Sequence, residues 1–150
     1  MMSKKDRSDE EQYITNSDFI DKELKNISGY LGCMSYEDLA RTKVSDKYCA
    51  VVNLDDTIGT HWVGAYKDPK NCFLEYYDSF GMPPPDILIN WSNVPIYYQK
   101  YQLQKDKSDK CGYFAIYFIK NRAKGREIED ILNDFTHRPS MHNEDLVLRD

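Results

Sequence analysis

Ten residues constrain this chain more than any others: Cys111 to Lys120 (CGYFAIYFIK), apolar nearly all round, directly after the polar run KDKSDK of Lys105–Lys110. A helix with no polar face cannot lie on a surface, so it must be buried, with the rest of the chain wrapped around it. The junction also fixes where it begins. The solvated approach ends and the apolar helix starts at Cys111, which puts that thiol at a helix N-terminus, half exposed.

The wrapping has to come from the preceding segments. Residues Tyr48–Leu54 (YCAVVNL), His61–Tyr66 (HWVGAY) and Cys72–Asp78 (CFLEYYD) are β-branched and aromatic, and turn residues separate them: Asp55, Asp56 and Gly59, then Lys67–Asn71. Three strands joined by short turns predict an antiparallel meander. Asn16 or Ser17 can cap an earlier helix, with Ile20, Leu24 and Ile27 at helical spacing and Gly29 ending it. Ser35 can start a short helical turn (SYEDLAR), with Asp38 three residues on. Pro83–Pro85 lead into a short helix over Asp86–Trp91, and Val94–Leu103 holds a further strand. Arg126–Phe135 is amphipathic, with Ile128, Ile131, Leu132 and Phe135 on one face. The pattern predicts an α+β fold: a central antiparallel sheet, a buried helix carrying Cys111 at its N-terminus, and further helices packed around. Residues 13–136 form the one expected domain, with a disordered arm over 1–12 and a loose tail over 137–150.

Composition narrows the function classes. The net charge is −5 and the pI near 5.2, which argues against a broad basic face for nucleic acid or anionic membrane. No apolar run reaches the roughly 18 residues of a membrane span. The first twelve residues, MMSKKDRSDEEQ, lack the apolar stretch of a secretory signal, so an intracellular, non-secreted protein is expected. The four cysteines, Cys33, Cys49, Cys72 and Cys111, form no CxxC pair, and the spacing of the His and Cys residues is poor for zinc. Three of them read as small buried hydrophobes.

Cys111 differs through its surroundings. Helix N–H groups and the helix dipole favour a thiolate there, and Gly112 removes bulk beside the sulfur. A thiol nucleophile needs a base, and the base an orienting group. His137 and His142 lie in the polar tail and read as solvated, whereas His61 opens a strand at a sheet edge. Asp78 closes the next strand, so hairpin pairing makes it a cross-strand neighbour of His61, within reach of an Nδ1–H bond. Taken singly each has a plain reading: a structural helix-start cysteine, a strand-end histidine, a turn-initiating aspartate in DSFG.

Taken together, GTHWVGAY (Gly59–Tyr66), YYDSFG (Tyr76–Gly81) and Q-x6-CGYF (Gln104–Phe114) resemble the adenovirus-type and Ulp1/SENP-type cysteine peptidases. The resemblance covers roughly residues 27–122, and DSFGMPPP with GYLGCMSYEDL (Gly29–Leu39) is closer in style to small peptidases of large DNA viruses, virophages and related mobile elements. It implies a papain-like or adenain-like core, Cys111 as nucleophile, His61 as general base and acid, Asp78 as its orienter, and Gln104 with Gly112 at the oxyanion hole. Gln99 and Gln102 compete with Gln104, and plain surface glutamine is the bland alternative for all three. Trp62 is implied as a cleft wall, although strand alternation puts it on the face opposite His61 and a buried sheet aromatic is the other reading. No metal or cofactor is required.

The implied substrate is a protein or peptide, such as a viral capsid or core precursor cut at small, glycine-containing sites. An activating peptide is a further partner of such enzymes, and a monomer in host cytoplasm or nucleus, or packaged in the virion, is the implied setting. Three alternatives stand beside this reading: a deconjugase for a ubiquitin-like protein, an inactive peptidase-fold binding module, and a metal-binding interaction protein.

Overall fold

The computed structural model describes residues 16–54 and 61–149. The expected arm over 1–12 and the turn Asp55–Gly59 lie outside the described residues. Helix α1 (Ser17–Leu24) is capped by Asn16, whose side chain accepts the Phe19 N–H at 2.9 Å, and it buries Ile20 and Leu24. Strand β1 (Tyr30–Ser35) follows, then the short helix α2 (Tyr36–Leu39), capped as expected by Ser35 Oγ on the Asp38 N–H. The meander is β2 (Tyr48–Asn53), β3 (Trp62–Lys67) and β4 (Leu74–Tyr77). Helix α3 (Asp86–Trp91) and strand β5 (Ile96–Tyr98) lead to the central helix α4 (Cys111–Ala123), and α5 (Ile128–Leu132) and α6 (Met141–Arg149) complete the chain.

The sheet has the order β1-β2-β3-β4-β5. Its three inner strands are antiparallel as expected, while β1 joins β2 and β5 joins β4 in parallel. Strand β1 had no expectation: Tyr30–Ser35 contains Gly32 and lies partly exposed, with a bulge in its register between Tyr30 and Cys33.

Alternation along the inner strands sends residues to two cores. Cys49, Val51, Trp62, Tyr66 and Tyr77 face α4, in a cluster shared with α1, α5 and α6. Tyr48, Val52, Val63, Ala65, Leu74 and Tyr76 face the other way, onto Leu39 of α2 and Leu88 of α3. Both faces are covered, which is why β2 reads as the unbroken apolar run YCAVV. Helix α4 lies across β3 in close contact: a Cβ at Gly64 would sit 3.5 Å from Ile119 Cδ1 and 3.6 Å from the Ala115 carbonyl, ordinary packing distances.

The far end of α4 is fixed by charge. Arg122 is 4% exposed and grips Glu75 of β4, itself 1% exposed, through Nε at 2.7 Å and Nη2 at 2.9 Å. Asp68 accepts from the same guanidinium at 3.2 Å, the Tyr77 hydroxyl donates to Glu75, and the Tyr66 ring lies 5.0 Å from the Arg122 carbon.

The residues beyond 136 correct the expectation of a loose tail. Met141–Arg149 is helical and buries Asn143, Glu144 and Val147. A start signal was present in Pro139–Ser140, and Ser140 Oγ accepts the Asn143 N–H at 3.2 Å. It was outweighed by the polar composition of THRPSMHNED. Among the described residues, no helix is long and apolar enough to cross a membrane.

Candidate active site

Cys111 stands at the first position of α4, and the Lys110 side chain makes no capping bond. The thiol is 6% exposed, so it is more enclosed than the half-exposed position expected from the sequence. The Trp62 backbone N–H at the head of β3 donates to its sulfur at 3.4 Å. The sulfur is thus held between a helix start and a strand start, which is possible because α4 crosses β3.

His61 immediately precedes β3. Its Nε2 lies 2.8 Å from Asp78 Oδ1, and the ring also hydrogen-bonds the Cys111 thiol. The carboxylate therefore engages Nε2 rather than the expected Nδ1. The register explains the pairing. Gly64 lies opposite Tyr77, so continuing the ladder puts Asp78 opposite Val63. His61 and Asp78 each lie one residue outside their strands at the same end of the hairpin, diagonal rather than direct neighbours. His61 lies outside the strand, so strict alternation fails there, and it and the Trp62 N–H both reach Cys111.

Burial by itself lowers the basicity of His61. The hydrogen bond that the ring donates to Asp78, the Cys111 contact and the charges of both outweigh it and raise the imidazole to about 9. Asp78 is 2% exposed, and its Oδ1 also accepts the Phe80 N–H at 2.8 Å. The Phe80 ring packs on His61 with centroids 5.2 Å apart. Gly81 closes the loop at φ +75, donating to the Asp78 carbonyl at 2.8 Å.

Gln104 corrects another expectation. The sequence puts it in the exposed approach to the helix, but its residue is fully buried, at 0%. Its Oε1 accepts from Ser79 Oγ at 2.5 Å, and its Nε2 donates to the Ser108 carbonyl at 2.8 Å. A primary amide has two N–H groups, and the second has no partner among the described residues. The competing glutamines differ. Gln99 Nε2 donates to the carbonyls of Asp78 and Tyr101, and Gln102 Nε2 to the Gln104 carbonyl and Asp106. Each has spent both donors, and Gln99 braces the loop that carries Asp78.

Gly112 is buried one residue into α4. The Trp62 indole is 7% exposed in the core beside Cys111 and Phe114, the position of a sheet aromatic. His137 and His142 are exposed; their Nε2 atoms meet the carbonyls of Leu132 and Asp134. Cys33 is half-buried, Cys49 buried and Cys72 exposed, all as free thiols. Burial pushes the Cys33 and Cys49 thiols up to about 12, unlike reactive thiols. Among the described residues no group of three or more His, Cys, Asp and Glu converges to hold a metal.

Ser79 and Glu144 carry no sequence expectation, yet both stand against this site. Ser79 follows Asp78 in the DSFG loop, so one turn serves both His61 and Gln104. Glu144 of α6 accepts from the Lys105 N–H at 3.0 Å and from Ser108 Oγ at 2.6 Å. Only the three-dimensional fold brings it there, across 36 residues from Ser108.

No protein-family model matches the sequence, and no curated protein sequence is similar to it. Solved structures are similar in fold. The ASFV pS273R protease superposes with a TM-score of 0.62 at 16% identity, over 89% of this chain and 65% of that one. This chain thus spans just under two thirds of that protease. A selenomethionine structure of the same protease gives 0.52 at 17% identity, over 70% of this chain and 44% of that one. The SUMO protease Ulp1, with its catalytic cysteine oxidized to a sulfinic acid, gives 0.50 at 14% identity, over 91% of this chain and 78% of that one. The chain has the α+β fold that these viral and SUMO cysteine proteases share.

Proposed function

We propose that the chain is a cysteine endopeptidase in which Cys111 is the nucleophile, His61 its base and acid, Asp78 the orienter of His61, and Gln104 a donor to the oxyanion. The observation that carries this is the His61 ring, bonded through Nε2 to a buried carboxylate and in contact with the Cys111 thiol. A core histidine needs one partner; a ring bridging a carboxylate and a helix-start thiol has the arrangement of a proton-transfer relay.

In the reaction, His61 takes the Cys111 proton and the thiolate attacks the scissile carbonyl carbon. The carbonyl oxygen becomes an oxyanion beside the second N–H of Gln104 and the backbone N–H groups at the start of α4, Gly112 among them. Collapse breaks the C–N bond as His61 hands its proton to the leaving amine. Water, deprotonated by His61, then cleaves the thioester and the thiol is restored. The substrate is a protein, and processing of viral structural precursors at glycine-containing sites is the reading favoured by the sequence style.

The test compares wild type, Cys111→Ala and His61→Ala on a panel of Gly-Gly and Gly-Xaa peptides, alongside iodoacetamide labelling of Cys111. Wild type should cleave at least one peptide and both variants none, with labelling slowed in His61→Ala. If wild type cleaves nothing and its thiol labels no faster than free cysteine, the assignment fails. The likeness to Ulp1 supports a second reading, deconjugation of a ubiquitin-like protein. Capture of Cys111 by a ubiquitin-like protein carrying a C-terminal electrophile, without peptide cleavage, would favour it.

A further inference from the structure

An oxyanion donor built from a side-chain amide has a polarity problem. The two ends of the amide have nearly the same shape, but only the nitrogen end stabilises negative charge. Something must fix which end faces the reacting carbonyl. Around Gln104 the deciding neighbour is the Ser108 carbonyl, which can only accept, so Nε2 has to face it. Ser79 then donates its hydroxyl proton to Oε1, closing the other end. The Ser79 carbonyl also accepts the N–H groups of Leu103 and Gln104, at 2.8 and 3.1 Å, so the backbone below the amide is pinned as well.

The Ser108 carbonyl is useful only if its loop stays in place, and the segment Lys105–Lys107 is exposed, with Lys107 at a positive φ of 65. Glu144 supplies the hold. It is 2% exposed and reaches out of α6 to take the Lys105 N–H on one oxygen and the Ser108 hydroxyl on the other. Lys110 lies 3.8 Å from the same carboxylate, which offsets its charge. Next to it Asn143 donates to the Leu103 carbonyl at 3.1 Å.

We propose that Ser79 and Glu144 are positioning residues for the oxyanion donor: Ser79 holds the Gln104 amide by its oxygen, and Glu144, through Ser108, holds it by its nitrogen. The inference rests on Gln104 acting as the oxyanion donor of the proposed peptidase. It makes α6 part of the machinery that sets the oxyanion donor.

The experiment separates two reactions of the same sulfur. Acylation by the p-nitrophenyl ester of an N-blocked glycine passes through an oxyanion; alkylation by iodoacetamide displaces iodide from a saturated carbon and forms none. Gln104→Ala should slow acylation about 10²–10³-fold, as loss of one oxyanion donor does. Ser79→Ala and Glu144→Gln should each slow it about tenfold, with alkylation within about threefold of wild type. Glu144→Gln keeps the shape but sets an N–H against one of two donors, so one tether is lost. Ser79→Thr, which keeps the hydroxyl, should restore the rate. The double variant Ser79→Ala/Gln104→Ala should be no slower than Gln104→Ala, because Ser79 acts through that amide.

The proposal is overturned if acylation by both Ser79→Ala and Glu144→Gln stays within about threefold of wild type, if alkylation falls in parallel, or if the double variant loses the product of the two single effects. Should Ser79→Ala fail to fold, Glu144→Gln carries the test alone, by the same two rates. Wild type acylating no faster than Cys111→Ala would instead overturn the peptidase assignment, a distinct result.

Discussion

Replacing Arg122 with methionine should cost this protein a large share of its stability. The guanidinium is buried at 4% exposure and makes two bonds to Glu75, which is 1% exposed. Methionine fills much of the volume but leaves a carboxylate in the core with, among the described residues, only the Tyr77 hydroxyl as a partner. Stranding one half of a buried ion pair costs about 3–5 kcal/mol, out of the roughly 5–15 kcal/mol that holds a domain folded. Urea unfolding followed by the fluorescence of Trp62 and Trp91 measures it. With a slope of about 2 kcal/mol per molar, the midpoint should fall by roughly 1.5–2.5 M. Adding Glu75→Gln neutralises the stranded charge and keeps an acceptor for Tyr77, so the double variant should regain about half of the loss or more. A loss below about 1 kcal/mol, the worth of an exposed pair, or a double variant that is worse than either single change, would refute the reasoning.

Three further outcomes are expected. His61 is raised to about 9 in the folded chain, against about 6.5 unfolded; its stabilising contribution is complete below about 6.5 and lost as pH rises through about 9. The thermal midpoint should therefore fall more between those pH values in wild type than in His61→Gln, measured by calorimetry in matched buffers. Gly81→Ala forces a side chain into φ +75 and puts its Cβ 2.6 Å from the Lys100 carbonyl, so it should cost about 2 kcal/mol or more in urea and slow peptide cleavage by moving Asp78. Asn143→Ala removes an amide that bonds the Leu103, Thr136 and Arg138 carbonyls and the Thr136 N–H; a loss of about 1–3 kcal/mol is expected, and truncation after Ser140 should abolish peptide cleavage.

The features legible in the sequence share one property: each is set by neighbours along the chain. β-branched and aromatic runs between turn residues marked β2 and β3, the Asn16 and Ser35 caps were readable from local pattern, and the polar-to-apolar switch at Lys110–Cys111 marked the start of α4 to the residue. Strand β1 is not legible because its ladder is parallel and its partner lies across a crossover through α2, with a glycine inside and no clean alternation. Helix α6 was missed because its burial depends on two polar residues, Asn143 and Glu144, whose partners lie in the approach to Cys111. A buried polar residue looks like a surface residue until its partner is known. The same limit misjudged Gln104, whose burial follows from Ser79 and Ser108 rather than from its own polarity.

The candidate site is divided along the same line. Cys111, His61 and Asp78 each stand at the end of an element, where a side chain can reach past its own ladder, and such ends leave a mark in sequence. What orients the Gln104 amide is different in kind: two hydroxyl-bearing residues and a carboxylate, drawn from the DSFG loop, the Lys105–Lys110 approach and the last helix. None is apolar, periodic or clustered in the chain, so no local pattern singles them out. They meet because α4 is gripped at both ends. Arg122 clamps its C-terminal end to β4, and the Trp62 N–H meets the thiol at the other end. With the helix axis fixed, the loop entering it has few places to run, and a single buried carboxylate on α6 is enough to set it. A helix start that could be merely structural is thereby tied to both the sheet and the C-terminal helix, which is the condition the proposed nucleophile needs if the proposed oxyanion site is to be built from three distant parts of one chain.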